Sequence, residues 1–125
     1  MLLFDYQITE MEMIKHILVR LGCNVTLVDI EEDCYEKIHN RPYHLVIFDH
    51  SIPALDITDF VSHIERIDLL LPIAMMVTLS IAFYEKKYSC SGIDFLIFKP
   101  FGLAEMVELI DATKALYQRR RSSQY

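Results

Sequence analysis

The chain has 125 residues, of which 53% are hydrophobic, and a formal net charge of −6. A chain of this size and apolar content forms one domain with a real core, which excludes intrinsic disorder. The negative charge disfavours direct binding of nucleic acid, no apolar run approaches the ~20 residues of a membrane span, and "MLLFDYQ" lacks the basic flank and long apolar stretch of a secretion signal.

Leu2 to Phe4 reads as a short strand. Ile8 to Leu21 reads as a helix with Met11, Ile14, Leu18 and Leu21 on one face. Thr9 with Glu12 resembles a capping box, and Gly22 suits the residue just past the helix end. Val25 to Val28 is a strand, Glu31 to Asn40 a charged helix, and Leu45 to Phe48 a strand apolar at every position, as burial on both faces requires. Asp56 to Ile67 is a helix turning Phe60, Val61 and Ile64 inward, and Ile73 to Val77 a further apolar strand. A helix is expected over 81–88, a strand over Ile93 to Phe98, and a last helix over Leu103 to Tyr117 with Leu103, Met106, Val107 and Ile110 on one stripe. The basic run Arg119 to Arg121 is read as a solvated tail or linker stub over 119–125, with phosphate binding the lesser option, so the domain proper is 1–118. Cys23, Cys34 and Cys90 are odd in number and lack metal-type spacing, which suits free thiols in a reducing cytosol.

Five strand–helix repeats imply parallel pairing through right-handed crossovers. The expected fold is α/β: an open, doubly wound, flavodoxin-like sheet of strand order 2-1-3-4-5. Ligands of such sheets gather beyond the carboxyl ends of the strands. Those ends carry Asp5, Asp49, Thr78 and Lys99, the last followed by Pro100. Two carboxylates in one site invite a divalent cation, and Mg²⁺ accepts carboxylate oxygens, water and phosphate. An ammonium and a hydroxyl hold phosphoryl oxygens, and an aspartate beside the metal attacks phosphorus to form an acyl phosphate. A cis Lys99–Pro100 bond would aim the lysine back at the site.

"YHLVIFDHSIPALD", "LPIAMMVTLS" and "GIDFLIFKPF" together resemble the receiver domain of two-component response regulators, over Leu2 to about Tyr117. The resemblance implies that Asp49 is the phosphoacceptor. It implies that Thr78 supplies the hydroxyl that turns toward the phosphoryl group, and that Lys99 pairs with Asp49 and then with phosphoryl oxygens. It further implies that Asp5, Asp49 and the backbone carbonyl of Ser51 hold Mg²⁺, while the Ser51 side chain tunes water access. The phosphodonor would be a histidine kinase or phosphotransfer protein. A homodimer or output partner would dock on the surface of helix 81–88, strand 93–98 and helix 103–117, where Phe83 and Tyr84 cannot both face inward.

The chain departs from the family pattern in three places. Tyr6 stands where a second acid usually ligates the metal, which reduces the expected Mg²⁺ affinity, and Glu10 and Glu12 are read as too far into the helix to replace it. Leu96 stands where a switch aromatic is usual, and Phe95 next to it faces the other way. Ile57 stands where the acidic turn often has glycine, so positive φ is disfavoured there. His50 points away from Asp49 and reads as structural. The expected role is a phosphoacceptor and regulatory domain, not a turnover enzyme. The alternative is a phosphorylation-independent interaction module. An aspartate phosphatase ranks low, because Ser51 stands where its general acid belongs.

Overall fold

The structure is a computed structural model and describes residues 1–78 and 92–123. The helix expected over 81–88, its aromatic residues and Cys90 lie outside the described residues. In chain order the elements are β1 (Leu2–Phe4), α1 (Ile8–Arg20), β2 (Thr26–Val28), α2 (Glu31–Asn40), β3 (Val46–Asp49), α3 (Ile57–Ile67), β4 (Ile73–Thr78), β5 (Phe95–Lys99) and α4 (Leu103–Ser122). All four strand pairings are parallel, and the sheet order is β2-β1-β3-β4-β5, as expected for the flavodoxin-like fold.

Alternation along each strand divides the core in two. Leu2, Phe4, Val46, Phe48, Ile73 and Met75 face α2 and α3, where Phe60 is buried against Phe4 and Phe48 at ring separations of 5.4 and 4.9 Å. Leu3, Leu45, Ile47, Ala74, Met76 and Ile97 face the other way, toward Met11, Ile14 and Leu18 of α1 and Met106, Leu109 and Ile110 of α4. Such two-sided burial explains why β3 and β4 are apolar at consecutive positions.

Helix ends follow local chemistry, with some differences from the sequence reading. No capping box forms at Thr9. The N-cap is Gln7, and its carbonyl accepts from Met11 N at 3.0 Å. Thr9 already lies inside the helix, so it cannot act as the cap, and the amides of Tyr6 and Gln7 just before the helix donate to Asp5. Gly22 does end α1, at φ 88°: its N–H donates to the Val19 carbonyl and that of Cys23 to Leu18, the paired bonds of a Schellman turn. Asp56 caps α3 by accepting from Asp59 N.

α4 differs most from expectation. Its buried stripe is Met106, Leu109, Ile110 and Thr113, whereas Leu103 and Val107 are exposed. The helix also runs through the arginines read as a tail. Arg120 forms an ion pair with Asp94, and the Arg121 guanidinium lies 4.6 Å from the centre of the Tyr117 ring. The helix thus continues past the end that its apolar pattern marks, with these contacts along its last turns. Asp94 is doubly used, since its other oxygen accepts from Ile73 N at 2.9 Å.

Candidate functional site

Asp5 follows β1 two residues beyond Leu3, and Asp49 ends β3 two residues beyond Ile47. Both therefore project to the face that α1 and α4 cover, at the switch point where the chain leaves β1 for one neighbour and later returns on the other side. In β4, Thr78 lies two residues past Met76, the register partner of Asp49, and is itself in register with Lys99 on β5. The pleat thus brings Asp5, Asp49, Thr78 and Lys99 to one rim. The Lys99–Pro100 bond is cis, as the sequence suggested.

Both aspartates are fully buried. Asp5 Oδ1 accepts from the amides of Tyr6 (2.7 Å) and Gln7 (3.3 Å), while its Oδ2 has no partner among the described residues. Asp49 Oδ1 takes the Lys99 ammonium, and its Oδ2 accepts from the Ser51 amide at 3.0 Å and from the Ser51 hydroxyl. Lys99 Nζ also lies 2.6 Å from Glu10 Oε1, while Glu10 Oε2 has no partner among the described residues.

These contacts set the charges. Burial alone would raise Asp49, but bonds from Lys99 and Ser51 outweigh it and hold the carboxyl below its ordinary range. Burial alone would lower Lys99, but Asp49 and Glu10 together push it up. Among the described residues Asp5 has no cation of its own. Burial, then the neighbouring Glu10 carboxyl, raise it to about 7, against the opposing bonds from the Tyr6 and Gln7 amides. At neutral pH the site thus contains an ionised Asp49, a charged Lys99 and a half-protonated Asp5.

Glu10 is the residue that the sequence reading dismissed as too far into its helix. One oxygen each from Asp5, Glu10 and Asp49 fall within 4.8 Å of one another. Helical side chains lean toward the N-terminus, so a carboxylate in the first turn of α1 hangs back over the end of β1. Its place in that first turn, where the helix dipole favours anions, was the available signal. Glu12, one step further round, is exposed. The hard-oxygen donor set and the unpartnered Asp5 Oδ2 fit Mg²⁺, which would be held by Asp5 and Asp49.

Tyr6 is 39% exposed, and its hydroxyl sits at the rim, 3.3 Å from Ser51 Oγ and 3.1 Å from the Gln7 amide nitrogen that donates to it. His50 turns from the site and donates from Nδ1 to the Met76 carbonyl at 3.0 Å, the structural part expected of it. Leu96 and Phe95 lie against opposite cores, as their adjacency in a strand requires. In the acidic turn the positive φ (63°) falls on Ala54, while Ile57 is simply the first residue of α3.

This architecture and rim define a class. The response regulator receiver domain matches residues 1–111, and the chain belongs to that family. No curated protein sequence matches the chain. Among solved structures, the receiver domain of NtrX from Brucella abortus has a TM-score of 0.82 at 18% identity, over 90% of this chain and 95% of that one. The chemotaxis response regulator CheY4 of Vibrio cholerae has a TM-score of 0.79 at 19% identity, over the same shares. A Rhodopirellula baltica protein described as an adenylate cyclase reaches 0.86 at 16% identity, over 98% of this chain and 92% of that chain. At such identities these likenesses concern the fold. No helix among the described residues is long and apolar enough to cross a membrane.

Proposed function

We propose that this receiver domain accepts a phosphoryl group on Asp49 from the phosphohistidine of a histidine kinase or phosphotransfer protein, and that the modification alters a docking surface. One observation carries the reading: the Lys99 ammonium, fifty residues away in sequence, is bonded to a fully buried Asp49 at the sheet's rim. An ionised carboxylate is the nucleophilic form, and Lys99 and Ser51 keep Asp49 in that form.

In the transfer, an Asp49 oxygen forms a bond to phosphorus as the phosphorus–nitrogen bond of the donor breaks. The departing imidazole keeps the electron pair and takes a proton. When bound, Mg²⁺ neutralises charge on the phosphoryl oxygens and aligns them. Lys99, freed from the consumed charge of Asp49, follows the phosphoryl oxygens, and the Thr78 hydroxyl turns toward them. Ser51 Oγ, beside Asp49 Oδ2, limits the approach of water to the acyl phosphate. The surface of β5 and α4 then changes its affinity for a partner or a second copy. The chain is a substrate of phosphotransfer in a reducing cytosol and not a turnover enzyme. The test is intact mass after incubation with acetyl phosphate and Mg²⁺. One phosphoryl group is expected on the wild type and none on Asp49→Asn; a wild type that stays unmodified refutes the proposal.

One observation favours the second reading, a phosphorylation-independent interaction module. A neutral phenol occupies the position of the second acid, and its hydroxyl lies against Ser51 across the mouth of the site. Titration with beryllofluoride and Mg²⁺ separates the two. Saturable changes around Asp49 support the phosphoacceptor, and a flat response in millimolar Mg²⁺ supports the module.

A further inference from the structure

Resting on the reading that this rim takes Mg²⁺, we propose that Glu10 is the third carboxylate of the cation site, standing in for the acid that Tyr6 replaces. The position of Tyr6 is lost as a donor. Its side chain is at the surface and its hydroxyl is engaged with Ser51 and Gln7. A neutral phenol is also a poor ligand for a hard cation. Glu10 reaches the same pocket from α1, and its nearest carboxylate oxygen falls within 4.8 Å of those of Asp5 and Asp49.

Two orphan atoms point to what the pocket takes. Asp5 is fully buried, with Oδ1 committed to two backbone amides and Oδ2 to no group among the described residues. Glu10 divides its oxygens in the same way, with Oε1 on Lys99 and a buried Oε2 without a partner among the described residues. A buried carboxylate oxygen left unpaired is costly, and a cation is the partner that serves both at once. Among the described residues the three carboxylates have one ammonium, Lys99, which pairs with Asp49 and Glu10 but not with Asp5, so the pocket keeps room for positive charge. Glu10 thus has two duties: one oxygen restrains Lys99, and the other ligates. The chain has moved a ligand from the strand end to the first helical turn while keeping the pocket's acidic character.

Mn²⁺ is the probe, with the free ion counted by its electron paramagnetic resonance signal, in full-length protein without phosphodonor. Far-UV circular dichroism confirms folding of each variant. The wild type is expected to bind one Mn²⁺ displaced by Mg²⁺. Glu10→Gln should weaken binding by more than about tenfold. Tyr6→Asp added to Glu10→Gln should restore it by returning a carboxylate to the strand end, a gain that a misfolded variant would not show. Wild-type affinity in Glu10→Gln overturns the inference, as does binding by Tyr6→Asp when the wild type binds none. Loss of phosphorylation with Glu10-dependent Mn²⁺ binding intact refutes the phosphoacceptor reading alone. Phosphorylation with Mn²⁺ binding indifferent to Glu10 refutes this inference alone.

Discussion

Asp5 and Asp49 are equally buried and titrate in opposite directions, because Asp49 has a cation and a hydroxyl at its oxygens and Asp5 has a second carboxyl. Their effects on stability differ in the same way. A carboxyl raised to about 7 binds a proton in the folded chain that the unfolded chain has released, so Asp5 lowers stability as pH rises from about 4 and does so in full above 7. In chelator, Asp5→Asn should therefore raise the thermal midpoint, with a gain that grows from pH 5 to pH 8 and reaches about 3–6 °C. A pH-independent difference would count against that account. Asp49 is depressed, so its contribution is present at neutral pH and is lost as acid protonates it. Ala54 shows a different cost. An alanine at φ 63° occupies the left-handed region, which asparagine enters more readily. Ala54→Asn is expected to stabilise by about 0.5–1 kcal/mol in urea titration, with an unchanged m-value.

At the scale of elements, Asp94 ties three pieces together. Its amide donates to the Ile73 carbonyl at 2.8 Å, one carboxylate oxygen accepts from Ile73 N, and the other pairs with Arg120. The start of β4, the approach to β5 and the last turn of α4 meet on this one side chain. Removing it leaves a buried amide at Ile73 without its acceptor, so Asp94→Ala should cost about 1–3 kcal/mol. Arg120→Ala breaks only a partly exposed ion pair and should cost less than about 1 kcal/mol. Equal losses in denaturant titration would mean that the ion pair, and not the Ile73 amide, is what Asp94 supplies. Leu103 and Val107 complete the account of α4. They continue its apolar spacing yet stay exposed, because the helix meets the sheet along the Met106, Leu109 and Ile110 line.

Over the whole molecule, the two cores on either side of one sheet place the chemistry. Phe4 and Phe48 pack under α3 on one face, while Leu3 and Ile47, one residue earlier, set the parity that sends Asp5 and Asp49 to the other. Site and core are therefore coupled through strand register: a slip of one residue would bury the acids among the phenylalanines. Phe60 touches Phe4, Phe48 and Tyr35 and is fully buried. Phe60→Ala should cost about 3–5 kcal/mol, a large part of the stability of a domain this size. It should lower phosphorylation only as far as the folded fraction falls, which parallel chemical denaturation and intact mass would check.

Much of this was legible in the residues alone. Hydrophobic periodicity is local, so runs such as "LVIF" and the alternation of short apolar with longer amphipathic segments already determined parallel α/β order, and the polar residues closing those runs marked Asp5, Asp49, Thr78 and Lys99. What the tertiary structure decided depends on distances between elements remote in sequence. Glu10 entered the site because α1 hangs over the end of β1. Arg120 lies within the last helix and pairs with Asp94, and Asp5 and Asp49 acquired opposite shifts because the Lys99 ammonium bonds only one of them. Electrostatic interactions depend on separation and solvent exclusion, and neither is set until the chain has closed on itself.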